Sequence, residues 1–113
     1  MQIIKKEIKV SDLKKMAEEM FGTLVKGVVD TQKEIMAVNG ELHADELALL
    51  LENGSAQENL WGVNLYPDKK GEDFIAFDSV INIRPSQGNK SRTVEDEETR
   101  QEIKSIIFKL IKQ

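Results

Sequence analysis

Cysteine is absent from the 113 residues, which removes disulfides, thiolate metal ligands and thiol nucleophiles from consideration. Aromatic side chains are scarce, at 5%. A nucleic-acid surface needs them interleaved with cations, so nucleic acid is a poor fit as a partner. Histidine occurs once, at position 43. A metal centre there would need further ligands from distant segments, so neither a metal nor another cofactor is expected. No apolar run is long enough to span a bilayer, and the opening MQIIKKEIKV holds too short a one for a secretory leader. A cytoplasmic protein without membrane attachment is the expectation.

Cations are also missing from the middle of the chain. Between Glu34 and Asp68 stand Glu34, Glu41, Asp45, Glu46, Glu52, Glu58 and Asp68, with no lysine or arginine. Net charge is −4, which argues against a general polyanion binder. The basic residues lie in the two flanks, so an acidic centre beside a cationic loop would make a dipolar surface. Solvated faces are the simpler account of such charge.

What is present suits a folded domain: 40% apolar and 32% charged residues in a chain long enough to bury one core. No repeat or linker divides it, so residues 1–113 are read as a single domain. Ile3 to Val10 alternates weakly and reads as a first strand or an extended arm. Ser11 is placed to cap a helix whose stripe Leu13, Met16, Ala17, Met20, Phe21 follows the i, i+3, i+4, i+7, i+8 pattern, and Gly22 ends it. Leu24–Asp30 and Ile35–Val38 read as a hairpin closed by residues 30–33. Asp45 and Glu46 suit a helix start, and Asn53-Gly54 suits its end. The run Leu47–Leu51 is apolar all round, consistent with a helix buried on most sides or with a central strand; leucine and alanine favour the helix.

Ser55 to Glu58 matches a capping box before one short helical turn. Trp61, Val63 and Leu65 then give a strand one apolar face. Residues 67–71 form a turn, and Phe74 to Arg84 reads as one long strand rather than two folded at Asp78-Ser79. The single strand keeps Ile75, Phe77, Ile81 and Ile83 on one face, interrupted only by Ser79; if Leu65 pairs with Ile75, Val63 meets Phe77 and Trp61 meets Ser79. Thr93 is placed as a cap, followed by four acids at 95–98 and the stripe Ile103, Ile106, Ile107, Leu110, Ile111. The order β-α-β-β-α-β-β-α points to an α+β domain, a mostly antiparallel sheet covered by about three helices.

One stretch concentrates residues suited to ligands: SVINIRPSQGNKSRTV, Ser79 to Val94. Strand parity would project Asn64, Asp78, Asn82 and Arg84 from the face away from the core, with Gln87, Asn89, Lys90 and Arg92 arriving from the loop. Arginine's planar fork suits carboxylate or phosphate, so Asn64, Asn82, Arg84, Gln87, Asn89, Lys90 and Arg92 are candidate contacts for a small anion. No phosphate-binding GxxxxGK[ST] or GxGxxG motif supports it. The simpler reading has Arg84 and Arg92 bridging to the acids at 95–98 and fixing the loop. His43, with Asp45 or Asp78, is the candidate general base of a hydrolase or lyase. No GxSxG elbow marks a serine, and a structural histidine at a helix start is the plainer account.

The strings NGELHADELALLLENGS, LWGVNLYPDKKGEDFIAFDSVINIRPSQGNKSR and VEDEETR, with NIRPSQGN the most distinctive, resemble a family of prokaryotic proteins of about this length, a domain of unknown function. The resemblance runs from Lys5 onward and implies a self-contained domain; it carries over no activity. Three functional expectations follow from the residues: a module binding an anionic or phosphorylated small molecule at the 82–92 loop, a small enzyme built on His43, or a homodimer pairing its acidic and basic surfaces.

Overall fold

Valine decides the centre of the sheet. In a computed structural model describing residues 1–113, β3 (Val25–Asp30) is the middle strand of five. Its consecutive apolar residues face both sides, as a strand buried between two layers requires. The order is β1 (Gln2–Ile4), β4 (Ile35–Val38), β3, β5 (Leu60–Leu65), β6 (Ile75–Ala76), every pair antiparallel. The α+β class and the mostly antiparallel sheet are as the sequence implies.

Two helices cover one face. α1 (Val10–Glu19) and α3 (Glu97–Leu110) deliver Leu13, Met16, Ala17, Ile103, Ile106, Ile107 and Leu110 onto Val25, Val29, Met36, Val38, Trp61, Val63 and Leu65. On the other face α2 (His43–Glu52) closes a smaller core of Val28, Ala37, Leu50 and Leu60. Residues 47–51 are therefore helical, but the helix is not buried on most sides. Its fully buried positions are Glu46 and Leu50, and Leu51 is exposed. A carboxylic acid occupies a core position while a leucine faces out, an inversion no hydropathy pattern can show. A separate parallel pair, β2 (Ile8–Lys9) with β7 (Ile111–Lys112), ties the two ends of the chain together.

Several cap assignments are corrected. α1 starts at Val10 behind Lys9, with no side-chain cap, so Ser11 lies inside the first turn. Gly22 does adopt a left-handed φ of 90° where that helix ends. Ser55 does not cap the turn at Gln57–Asn59; its hydroxyl donates to the buried Asp30 Oδ2 at 2.6 Å. Asp30 also accepts from the Gln32 and Lys33 N–H groups, so one carboxylate closes the hairpin and pins residue 55. α3 is capped by Asp96, which accepts from the Thr99 N–H, and not by Thr93. Only Glu97 and Glu98 stand in its first turn.

The largest correction concerns Phe74 to Arg84. Leu65 pairs with Ile75 as expected, but the strand stops at Ala76, and Val80–Asn82 forms a 3-10 turn instead. The cause lies opposite, in β5. Gly62 has no side chain, and a Cβ built there would stand 2.6 Å from the Ser79 Cβ. The chain therefore crosses close over the strand rather than running beside it. Strand parity is lost beyond Ala76, and Asn82 turns inward while Ile83 is exposed.

Candidate functional site

The ligand candidates of the 82–92 loop divide into an inner and an outer group. Asn82, Arg84 and Asn89 are buried, contrary to the expectation that Asn82 and Arg84 reach solvent on one face. Asn82 acts as a piece of strand. Its Oδ1 accepts from the Gly62 N–H at 2.8 Å and its Nδ2 donates to the Gly62 carbonyl at 3.0 Å, with a second bond from Nδ2 to the Arg92 carbonyl at 3.0 Å. The primary amide thus reproduces both hydrogen bonds a neighbouring peptide would make.

Arg84 fans its donors over three backbone segments. Nε donates to the Ile81 carbonyl at 3.1 Å, Nη1 to the Gln57 carbonyl at 2.7 Å, and Nη2 to the Leu60 carbonyl. Its guanidinium lies 4.2 Å from the centroid of the Trp61 ring, a stacked arrangement that strengthens where water is excluded. Burial pulls its pKa below the usual arginine value, yet it stays cationic, since arginine remains protonated in proteins. Asn89 gathers the loop in the same way: Nδ2 donates to the Asn82, Ser91 and Thr93 carbonyls, and Oδ1 accepts from the Glu95 N–H. Gln87 bridges Arg84 Nη1 and the Glu58 carbonyl. These four residues build the loop and do not face a ligand with free donors.

Arg84→Lys is expected to lose about 2 kcal/mol of stability, close to the loss in Arg84→Met, because one ammonium cannot serve three diverging carbonyls. Urea unfolding of the three proteins tests this; full stability with lysine would show that charge alone suffices.

The acids after the loop do fix it, though not by bridging to arginine. Glu95 Oε2 accepts from the Lys90 N–H and the Ser91 hydroxyl, both at 2.8 Å. The Ser91 hydroxyl and then the Lys90 N–H hold its carboxyl below the ordinary glutamate range. Thr99 does the same for Asp96, by side chain and backbone. A cavity of about 490 Å³ opens beside this frame. Its lining combines Trp61, the Thr31 and Thr99 side chains and the Gln87–Asn89 turn with Glu58, Glu95, Asp96 and Glu102, and includes no lysine or arginine. Sequence reasoning found the loop but missed the cavity's charge, because Glu58 and Glu102 are brought to it only by the fold.

The outer group forms around His43. Arg92 Nε donates to Asp78 Oδ1 at 2.7 Å, which lowers the Asp78 pKa and raises that of Arg92. Asn64 Nδ2 reaches the Asp78 carbonyl at 3.2 Å, while the buried Asn64 Oδ1 has no partner in the protein. His43 stands at the start of α2 with Nε2 2.8 Å from the Val63 carbonyl oxygen. A carbonyl only accepts, so Nε2 carries the hydrogen. Burial lowers the His43 pKa, against smaller opposing effects of the Val63 carbonyl, Asp78 and Asn64, and the ring is neutral at pH 7.

Asp45, the other proposed carboxylate, lines a different cleft together with Glu41 and Glu52. His43 belongs to the layer of α2, whereas Arg84 stacks on Trp61, a member of the opposite core. The imidazole makes no contact with Arg84 and lies instead near Asp78, the carboxylate held by Arg92 of the loop. Lys90 makes no side-chain contact with either group, and no cluster of three or more metal-ligating side chains occurs anywhere in the chain.

Comparison with known proteins returns one relationship: residues 2–110 match the family described as "Protein of unknown function (DUF5674)". No curated protein and no solved structure matches the chain.

Proposed function

The chain belongs to this family of proteins of unknown function, and from its geometry we propose that it is a small-molecule binding module whose ligand is cationic and carries hydroxyl or amine donors. The observation that carries this reading is the cavity of about 490 Å³ with four carboxylates and an indole in its lining and no basic side chain. Of its lining, Asn89 is bonded to the Asn82 carbonyl, and Gln87 and Trp61 are held by Arg84; rigid support of this kind fixes the geometry of a site. An amine entering it would meet the Glu58 and Glu102 carboxylates, which make no hydrogen bond within the protein, beside those of Glu95 and Asp96, a set that accepts hydrogen bonds and stabilises positive charge; the Trp61 ring already carries the Arg84 guanidinium.

The anion expected from the loop's own cations would meet like charge here. Arg84 is committed to carbonyls and Arg92 to Asp78. A cytoplasmic, prokaryotic setting belongs to the same proposal and rests on the resemblance noted above. No helix is long and apolar enough to cross a membrane.

Thermal-shift and calorimetric titrations with spermidine, glucosamine and inorganic phosphate test the reading. Spermidine or glucosamine is expected to stabilise the protein, with binding at least tenfold weaker in the Glu58→Gln/Glu102→Gln double variant. Neither of those carboxylates makes a hydrogen bond within the protein, so the fold should be retained. Stabilisation by phosphate alone would restore the anion reading, and no response to any of the three would remove the cavity as a ligand site.

A further inference from the structure

A second concavity, about 460 Å³, lies between α2 and the end of α1 and shares no lining residue with the loop cavity. Asp45, Ala48, Leu49 and Glu52 of that helix form its wall, and their i, i+3, i+4, i+7 spacing places them on one stripe. The stripe is apolar in the middle and acidic at each end. Facing it are Met1 and Met20, the latter at the end of α1, with Asn39, Gly40 and Glu41 between them.

Four of the eight exposed large apolar side chains belong to residues that line this cleft or adjoin its lining in the chain. Met1 is 55% exposed, Met20 40%, Phe21 41% and Leu42 56%. Lys26 joins the last two to the rim, since its ammonium lies 4.7 Å from the Phe21 ring centroid and donates to the Glu41 carbonyl at 2.9 Å. Met1 and Met20 line the cleft and Phe21 and Leu42 adjoin lining residues, which exceeds the scattered single residues normal on a monomer. Methionine, unbranched and polarizable, is suited to a surface that must fit a partner's side chains.

We infer that this cleft docks a basic amphipathic helix of a partner protein. Charge supplies the sign. Glu41, Asp45 and Glu52 take part in none of the five ion pairs of the structure, and these three acids outnumber the two cations beside the cleft, Lys26 and the α-amino group of Met1. Spacing supplies the form. Seven residues separate Asp45 from Glu52, roughly 10 Å along α2. A helix lying along it would place lysine or arginine at i and i+7 on those two carboxylates and leucine at i+3 and i+4 over Ala48 and Leu49. Helix-in-groove recognition uses anchors at this spacing. The same acids repel an anionic lipid surface, which would otherwise be the alternative for an exposed apolar rim.

The test uses the full chain and three fluorescein-labelled synthetic peptides. One repeats the pattern Lys-x-x-Leu-Leu-x-x-Lys, one has glutamate for lysine, and one is a scramble of the first. Fluorescence anisotropy should show the basic amphipathic peptide binding at least tenfold more tightly than the other two, and more weakly at high salt. Asp45→Lys/Glu52→Lys, both at exposed positions, and Met20→Asp should each weaken that binding at least tenfold, with melting curves confirming that the variants fold. Equal binding of the scramble, or indifference to these substitutions, would overturn the inference. So would sedimentation showing a dimer that Met20→Asp dissolves, because a second copy would then cover the cleft.

Discussion

Asn82→Leu is expected to lower the stability of the protein by about 4 kcal/mol, one of the largest losses available to a single substitution here. Leucine shares asparagine's branching, is somewhat bulkier, and offers neither donor nor acceptor. The Gly62 N–H, the Gly62 carbonyl and the Arg92 carbonyl would each lose a partner, and an unsatisfied buried backbone group costs roughly 1–3 kcal/mol. Asn82→Asp is the sharper version. It keeps the acceptor for the Gly62 N–H but sets an acidic oxygen against two carbonyls, so it should be no more stable than the leucine variant at neutral pH. Urea unfolding monitored by Trp61 fluorescence measures both. A loss below about 1 kcal/mol in Asn82→Leu would mean that water replaces the amide at the strand edge.

Stability should also fall by about 2 kcal/mol between pH 7 and pH 9 because of a single residue, Glu46. Its carboxyl is fully buried beneath the cleft. Oε2 accepts from the Gly40 N–H at 2.8 Å, and Oε1 has no partner in the protein. A Cβ on residue 40 would stand 2.7 Å from the Glu46 Cγ, so only glycine permits this approach. Burial raises the carboxyl's pKa from 4.5 to about 9, against smaller lowering by the Gly40 N–H, Lys26 and the N-terminus.

The folded pKa lies above the unfolded one, so the folded chain holds a proton that the unfolded chain releases. This contribution is complete below pH 4.5 and is lost as pH rises through 9. His43 acts with the opposite sign: its folded pKa is lowered, so its contribution is present above pH 6.5 and lost on acidification. The alkaline interval therefore isolates Glu46. Thermal melts should show the wild type losing on the order of 8 °C from pH 7 to 9, while Glu46→Gln stays nearly level across that interval. Parallel curves for the two proteins would sink the assignment.

What was legible in the chain follows from which interactions are periodic. The stripes of α1 and α3, the alternation of Trp61, Val63 and Leu65 and the hairpin over β3 and β4 are all set by burial of apolar surface at helical or strand spacing. The Leu65–Ile75 pairing was accessible for the same reason. Met20 and Phe21 extended the α1 stripe on paper, yet they are exposed, because the helix stops at Glu19 and leaves them on the rim of the cleft.

The site was less legible because it is made of polar side chains satisfying distant backbone. Arg84 joins residues 57, 60 and 81, and Asn89 joins residues 82, 91, 93 and 95. A lone asparagine or arginine carries no mark of whether its amide or guanidinium will meet a ligand or a carbonyl. The one local clue was Gly62, whose missing side chain allows Ser79 and Asn82 to approach; in sequence it read only as the polar side of an alternating strand.

The amide of Asn82 has a consequence for how the protein behaves in a crowd. β6 is two residues long, so beyond Ala76 the outer side of β5 would present free backbone groups, the template on which another chain can add a strand. By occupying both hydrogen-bonding groups of Gly62, Asn82 blocks that template, and the close passage of Ser79 bars the approach sterically. The same side chain that completes the fold thereby serves as an aggregation gatekeeper, closing one edge of the sheet to polymerisation without the length of another strand.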